Sequence, residues 1–552
     1  MNRQQGLLAL LSAFCVGVAM RSWPLWHSPL PFNPDGIMYA RWVHGTVRTG
    51  HFPLVEMAVD DVAFTGLLST VSLVTGVDTL HHSQGVAAVI GTLPVVLVAA
   101  IAGRVARRIG FHASTRRYAV ALGAWTLAIE GLYLHRSMPV DEQTVGLFLA
   151  PLALLAVAYG ATRDRRWWLA AAPLLLVLPA VHNLDAVVVA FGLLLLVVVA
   201  ISQPSLGTPG AYLLLTAGYW TWFGGYTVGL ETATQASVLQ RELLTAVPGL
   251  VVAWIVLIAV GLVWFIGRSS KLKRLLFSAI LLAWFGVLAL NTLTPVFPGL
   301  PATNSTILYG VAPLVILVAL FALALPQALD IDAGTVMGAQ VAAVVVIVGI
   351  SLTASLTAEY LTTLYRVQTF AHLPVIAIAG IGGGILLERG PRKWSGQIGT
   401  RTVATGIVCI VLLASIASVP IAYSGLETLT YKGVTTTAEF ESAGFADRHV
   451  PGEWTSDDHL TRISRYYSVN STGIVQPTYA FLSGSDPPSC PTLSKHSWTT
   501  IGGQLYPRDP ASISVARYDA LQTASHRVYD SGGADRITLT LPQQRTVTEC
   551  QG

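Results

Sequence analysis

Residues 84–103 read QGVAAVIGTLPVVLVAAIAG, and residues 104–108 follow at once as RVARR. A helix needs about 20 predominantly apolar residues to cross the hydrocarbon core of a bilayer. The stretch 84–103 meets that requirement without a charged residue, and three arginines close it. It reads as a lipid-spanning helix with a cationic stop. Outward from it the chain keeps the same character: 53% of the 552 residues are hydrophobic and only 11% are charged. Soluble domains carry about 25% charged residues, so water is not the main solvent of this protein. No basic helix, aromatic-basic interleaving or zinc spacing points to nucleic acid, and no nucleic-acid partner is expected.

The same rule gives further spans near 6–26, 118–134, 143–160, 167–181, 184–201, 211–230, 247–266, 275–293, 304–325, 335–355, 371–388 and 402–423. With 84–103 they predict about thirteen transmembrane helices, an all-α polytopic membrane domain over residues 1–423. The first 26 residues read as a retained span rather than a cleaved leader, for they lack a small-residue cleavage site. Lys and Arg alternate in density between successive loops, and cytoplasmic loops carry the excess. With the N-terminus inside, 17 of the 33 basic residues fall on the cytoplasmic side, 6 in outer loops and 10 after residue 423. That asymmetry predicts an N-in, C-out protein of the cell membrane.

Residues 424–552 are polar and long enough for one small α/β or α+β soluble domain on the extracytoplasmic side. Thr436 and Glu439 have the spacing of a capping box, opening a helix to about His449. Ser456 is positioned to cap a second helix through Tyr467. His526–Leu541 reads as a β-hairpin around a Ser-Gly-Gly turn. Cys15 and Cys409 lie in apolar helices, where a buried inert thiol is expected. A Cys490–Cys550 disulfide is chemically permitted on the outer face, and the sequence leaves its formation open.

One loop stands out by length. The first outer loop, 27–83, contains Asp35, Glu56, Asp60, Asp61 and Asp78. Asn33 suits a helix N-cap, Pro34 the first helical position and Gly50 the end. Residues 62–77 look like a second, amphipathic helix at the membrane surface. The next outer loop is short: His135-Arg136-Ser137-Met138-Pro139-Val140-Asp141-Glu142. Ionisable groups thus gather at one end of the first helices.

Asn33-Pro34-Asp35-Gly36, Tyr39-Ala40 and then Gly50-His51-Phe52-Pro53 resemble the start of the first luminal loop of C-type membrane glycosyltransferases. The layout of the chain is similar too, and among these enzymes it looks most like the archaeal transferases that use dolichyl-phosphate sugars. The Trp-Trp-Asp-Tyr-Gly motif of the oligosaccharyltransferase catalytic subunit is absent; Gly452-Glu453-Trp454-Thr455-Ser456-Asp457 does not match it. The resemblance implies transfer of a sugar, mannose by expectation, from a dolichyl- or polyprenyl-phosphate donor to a glycan or protein acceptor. It implies Asp35 as the general base and Arg366 or Arg241 as the partner of the donor phosphate. Glu56, Asp60, Asp61, Arg136, Asp141, Glu142 and His182 are secondary candidates. Arg136 is expected to pair with Asp141 or Glu142. Some relatives hold a divalent ion between loop carboxylates, so Asp35 with Asp141 or Glu142 is a candidate site for magnesium or manganese. Two other classes fit the composition: a secondary transporter and an outer-face binding or assembly protein. The first requires ionisable residues or broken helices near the midplane, and the second needs far fewer spans.

Overall fold

The computed structural model describes residues 3–57, 60–203, 207–234, 238–296, 302, 305–355, 357–393, 400–424, 432–506, 508–533, 535–543 and 550. α1 (Arg3–Ser22) leads into α2 (Asp35–Thr49) and α3 (Val62–Thr75), which occupy the long first loop. Next come α4 (Thr79–Ile109), α5 (Ala113–Ile129), α6 (Gly131–Ser137), α7 (Gln143–Thr162), α8 (Trp168–Val181) and α9 (Asn183–Ser202). After them lie α10 (Pro209–Thr234), α11 (Leu239–Ala246), α12 (Pro248–Ile266) and α13 (Ser270–Leu293). The bundle closes with α14 (Ser305–Val311), α15 (Val315–Ala328), α16 (Asp332–Thr353), α17 (Ala358–Lys393) and α18 (Thr400–Tyr423).

Among the described residues, ten helical stretches are long and apolar enough to cross a membrane, against the thirteen expected. The chain is a multi-pass membrane protein. Each of the other three expected spans is helical as well: α5 has 17 residues, α8 has 14, and α10 has 26 interrupted by Gly, Thr, Tyr and Trp. The expected span 118–134 is broken in two. Glu130, fully buried, ends α5 and caps α6 by accepting from the backbone N–H groups of Leu132 (3.0 Å) and Tyr133 (2.8 Å). At the break Gly131 lies against α18 so closely that a Cβ would fall 1.9 Å from the Ser418 carbonyl oxygen. Only glycine fits there. α4 is longer than expected: Asp78 caps it by accepting from Leu80 N–H at 2.8 Å, and Gly110 ends it in the left-handed region. Its 31 residues span about 46 Å, beyond the hydrocarbon core at either end.

Contacts between loops sort the helix ends. At one end Arg163 Nε donates to Asp332 at 2.8 Å, and His112 N–H donates to Glu388 at 3.2 Å. At the other end the first long loop meets the C-terminal region, where Asn33 N–H donates to the Gly433 carbonyl at 2.8 Å and Ser28 donates to that of Thr435. Cys15 and Cys409 are exposed rather than buried, because the faces of α1 and α18 that carry them are not covered by other described residues.

The C-terminal region carries a mixed five-stranded sheet. α19 (Thr437–His449) opens on the expected capping box: Thr436 Oγ accepts from Glu439 N–H at 3.2 Å, and the Glu439 carboxylate accepts from Thr436 N–H at 2.9 Å. β1 (Trp454–Thr455) is followed by α20 (Asp458–Tyr467), capped by Asp457 one residue later than expected. Ser456 instead donates to the Leu493 carbonyl. Then come β2 (Gly473–Ile474), α21 (Gln476–Leu482), β3 (Thr492–Lys495), β4 (Gly503–Leu505), β5 (Arg508–Ala511) and α22 (Val515–Thr523). β6 (Ser525–Asp530) and β7 (Ile537–Pro542) pair antiparallel with His526 opposite Leu541, the hairpin the sequence suggests. The sheet order is β2-β1-β3-β7-β6, with β1 parallel to β2 and β3. Cys490 and Cys550 are joined by a disulfide, their Cα atoms 5.3 Å apart.

Candidate functional site

Where the first loop enters α2, Asn33 adopts φ 91°, a left-handed conformation that asparagine tolerates better than most residues. Its side chain bonds Asp35 twice, donating to the carboxylate at 2.8 Å and accepting from Asp35 N–H at 3.3 Å. The helix thus begins at Asp35 rather than one residue earlier, and Gly50 ends it in the left-handed region as expected. One turn on from Asp35, Tyr39 is completely buried.

Five elements bring polar side chains to one cavity of about 340 Å³ at this end of the bundle. α2 supplies Asp35 and Tyr39, the turn before α3 supplies Asp60 and Asp61, and the turn before α7 supplies Asp141 and Glu142. The junction of α8 and α9 adds His182 and Asn183; α17 adds Arg366. Val238, Leu239 and Gln240 complete the wall. A larger hollow of about 560 Å³ lies open along α10, lined by residues such as Trp222 and Tyr226, and contains no ionisable cluster. The smaller cavity gathers the ionisable side chains.

Arg366 holds much of the wall together. Its Nε donates to Gln143 Oε1 at 2.9 Å, and its Nη2 lies 3.0 Å from His182 Nε2, 3.6 Å from Glu142 and 3.8 Å from Asp141. A guanidinium has no acceptor atom, so His182 Nε2 must receive this bond and the ring proton must sit on Nδ1. There it faces Asp185 at 3.0 Å. Asp185 and His182 are 0% and 1% exposed. Gly146 makes room for the pair, since a Cβ at that position would fall 1.0 Å from Asp185 Oδ2.

Tyr39 touches both Asp61 and Glu142 through its phenolic oxygen. A phenol has one proton, so only one carboxylate can receive it and the other must bring a proton of its own. Glu142 is suited to that role: burial, then Asp141, Asp61 and Asp60, push its pKa well above the usual range. Burial and then Asp141 also raise Asp35, against the pull of Asn33, Arg462 and Arg366. Burial works to raise Asp141 too, yet Arg366 and its other partners hold it below the usual range. Adjacent carboxylates are thus driven apart in acidity, the pattern that separates acid and base roles.

Asp60, Glu142 and His182 offer ligand atoms within 4.8 Å of one another, a spacing a small divalent ion can bridge. The donor set fits a metal, for five carboxylates line the cavity with a single arginine among the lining residues. Asp185 Oδ2 and Asn183 Oδ1 are buried without a hydrogen-bond partner among the described residues, which adds to the local negative potential. This triad differs from the pairing of Asp35 with Asp141 or Glu142 suggested by the sequence, because the α8–α9 junction brings in a histidine.

Other candidates lie elsewhere. Glu56 is exposed and paired with Arg41 at 3.2 Å. Arg241 is ion-paired with Glu231 and does not line the cavity. Arg136 is half-buried and forms no ion pair with Asp141 or Glu142; Arg366 takes that place. Tyr39 stood in the motif without a role, and Asp185, Gln143 and Gln240 were not singled out for the site. Helical spacing could have linked Asp185 to His182, three residues before it.

No protein-family model matches the chain, and no curated protein matches it. Among solved structures it is similar to the crystal structure of the Archaeoglobus fulgidus oligosaccharyltransferase in complex with zinc and sulfate. The identity is 14%, the TM-score is 0.44, and the match covers 84% of this chain and 57% of that one. The chain spans little more than half the length of that protein.

Proposed function

We propose that this protein is a membrane glycosyltransferase that moves a sugar from a polyprenyl-phosphate donor to an acceptor hydroxyl of a glycan or protein. One observation carries the reading: carboxylates of divided acidity, a histidine and an arginine meet in a single cavity at the end of the bundle that adjoins the C-terminal region. The first-loop motif around Asp35 supports it, and the resemblance it carries points to mannose on a dolichyl-type lipid. The distribution of Lys and Arg supports an outward-facing cavity.

In the mechanism Asp35 takes the proton of the acceptor hydroxyl as its oxygen attacks the anomeric carbon. The bond from that carbon to the phosphate oxygen breaks, and its electron pair leaves with the lipid phosphate. The raised pKa of Asp35 makes it a better base near neutral pH than an ordinary carboxylate. Arg366 faces the leaving phosphate with charge-assisted N–H donors. Asp60, Glu142 and His182 would hold a divalent ion, which would supply positive charge against the departing phosphate. For these residues to serve as ligands, Arg366 Nη2 must give up its present bond to His182 Nε2 and Glu142 must give up its proton.

Purified full-length protein given a labelled mannosyl-phosphoryl-polyprenol and manganese should release or transfer the sugar. Excess chelator should stop it. Absence of sugar release with mannosyl, glucosyl and galactosyl donors alike, across magnesium, manganese and zinc, would sink the proposal.

A further inference from the structure

At the end of the bundle opposite the cavity, one aromatic ring holds two cations. Tyr159, in the last turn of α7, is buried, and the guanidinium carbons of Arg104 and Arg163 lie over its ring, 4.6 and 5.1 Å from the centroid. Arg104 projects from α4, Arg163 follows α7 directly, and α16 brings Asp332 in its first turn. That carboxylate is committed to one of the two. Arg163 donates to it from Nε at 2.8 Å and again from Nη2, whereas Arg104 Nε stays 3.8 Å away, beyond hydrogen-bond reach. Asp164, beside Arg163, accepts instead from the N–H of Arg166 at 2.9 Å. Arg104 Nε and Nη2 are buried with no hydrogen-bond partner among the described residues, while the side chain as a whole is 29% exposed. Arg107 and Arg108, three and four residues on and both exposed, add positive charge along the same face of α4.

A guanidinium whose buried N–H groups have no acceptor is costly, and an anion that reaches its open edge offsets the cost. The surroundings select the anion. α4, α7 and α16 are each long and apolar enough to cross a membrane, so their ends lie at the level of lipid headgroups. Trp167, whose ring lies 5.2 Å from that of Tyr159, is exposed, and so is Leu169 two residues on. The cations therefore have an apolar flank, which acyl chains can cover and a soluble anion cannot. We propose that Arg104 and Arg163, braced on Tyr159, bind the phosphodiester headgroup of an anionic phospholipid in the leaflet at this end. The two free oxygens of a phosphodiester can take charge-assisted bonds from two guanidiniums. Phosphatidylcholine is disfavoured, because its own ammonium group meets the arginines. The site is independent of the sugar-transfer reading, for it lies at the other end of the bundle and shares no residue with that cavity.

The test titrates full-length protein, freed of lipid in detergent, with dioleoyl phosphatidylglycerol or dioleoyl phosphatidylcholine and counts bound lipid by native mass spectrometry. Wild type should bind phosphatidylglycerol about ten- to a hundredfold more tightly, the range expected for charge-assisted hydrogen bonds. Excess inorganic phosphate should leave the lipid bound. Arg104→Gln should lose most of the preference, whereas Arg107→Gln, outside the contact with Tyr159, should keep most of it. Arg104→Lys keeps the charge but not the planar fork and should fall below wild type. It decides the matter where Arg104→Gln does not fold, and equality with wild type then overturns the site. No preference in wild type, or an undiminished one in Arg104→Gln, overturns it as well. Equal losses in Arg104→Gln and Arg107→Gln would mean a diffuse positive surface rather than a site. Displacement of the lipid by inorganic phosphate would assign the pair to a free anion and sink the lipid proposal.

Discussion

Two groups of buried ionisable side chains sit in this chain, and they balance charge in opposite ways. Inside the C-terminal region Glu439 and Asp457 face Lys495, Lys432 and His459: Lys495 Nζ lies 3.1 Å from Glu439 and 3.5 Å from Asp457, and Lys432 Nζ 2.8 Å from Glu439. Burial works to raise Glu439, yet Lys495, His459 and Lys432 outweigh it and hold the carboxyl well below the usual range. Asp457 is lowered in the same way, with burial outweighed first by Lys495. Its oxygens also take bonds from Leu460 N–H and Trp498 Nε1, so the cluster is closed. In the cavity of the membrane part, five carboxylates share one lining arginine, and Asp35 and Glu142 are raised instead. A closed cluster stabilises the fold around it. An unbalanced one leaves charge for a ligand to complete.

The sharpest way to break this contrast is Asp35→Asn. If the unbalanced cluster does chemistry, the change should lower the transfer rate about 10²–10⁴-fold. Melting should shift by no more than the ~1 kcal/mol expected for a helix-terminal charge. Glu56→Gln serves as the control, because Glu56 is tied to Arg41 on the surface. A mutant that keeps more than about a tenth of wild-type turnover removes Asp35 from the role of base.

The closed cluster should respond in the other currency. Lys495→Met leaves Glu439 and Asp457 without their shared cation and should cost about 3–5 kcal/mol of stability in chemical or thermal unfolding. The pH dependence gives the sign. In wild type the two carboxyls have lowered pKa values, so their contribution is present above the usual carboxylate range and is lost as pH falls through the lowered values. In Lys495→Met, Asp457 loses its largest lowering partner and burial then raises it, whereas Glu439 keeps Lys432. The contribution of Asp457 to the variant's stability should therefore be lost as pH rises from the usual carboxylate range through the raised value and partly regained on lowering the pH from 7 to 5. A variant that weakens with acid as wild type does would contradict this account of the cluster.

Asp185→Asn should give the smallest effect of the three and sharpens the comparison at its edge. The amide keeps the volume beside Gly146 but no longer fixes the Nδ1–H tautomer of His182 through charge. Support of this kind is worth about 10–100-fold in metal affinity. Manganese binding followed by calorimetry should weaken by that factor with little change in melting. Unaltered binding would make Asp185 a packing residue only.

Local signals made much of this legible in advance. The capping box at Thr436, the Ser-Gly-Gly hairpin and the stop at Gly50 depend on neighbours a few residues apart, and they lie where the spacing indicates. Asp35, Asp141, Glu142, His182 and Arg366 were named from one motif and from their positions at helix ends, and the fold brings them to one cavity; their roles are proposals. What the sequence withheld is set by distant partners. The break at Glu130 depends on the closeness of Ser418 and on His372, whose Nδ1 lies 2.9 Å from the carboxylate. The replacement of Arg136 by Arg366 as the partner of Asp141 depends on how α17 passes the turn before α7. The shift of the α20 cap from Ser456 to Asp457 follows from a carbonyl at Leu493, on another strand.

The bond from Asn33 N–H to the Gly433 carbonyl joins positions 400 residues apart, directly beside Asp35. A ribosome delivers these two residues tens of seconds apart at ordinary elongation rates of about 5–20 residues per second. During that interval the first loop stands at the membrane surface without the backbone partner that fixes the entry to its helix. Nascent chains and fragments ending before Gly433 lack this brace, so the entry to α2 gains its last backbone partner long after the loop that contains it has been made.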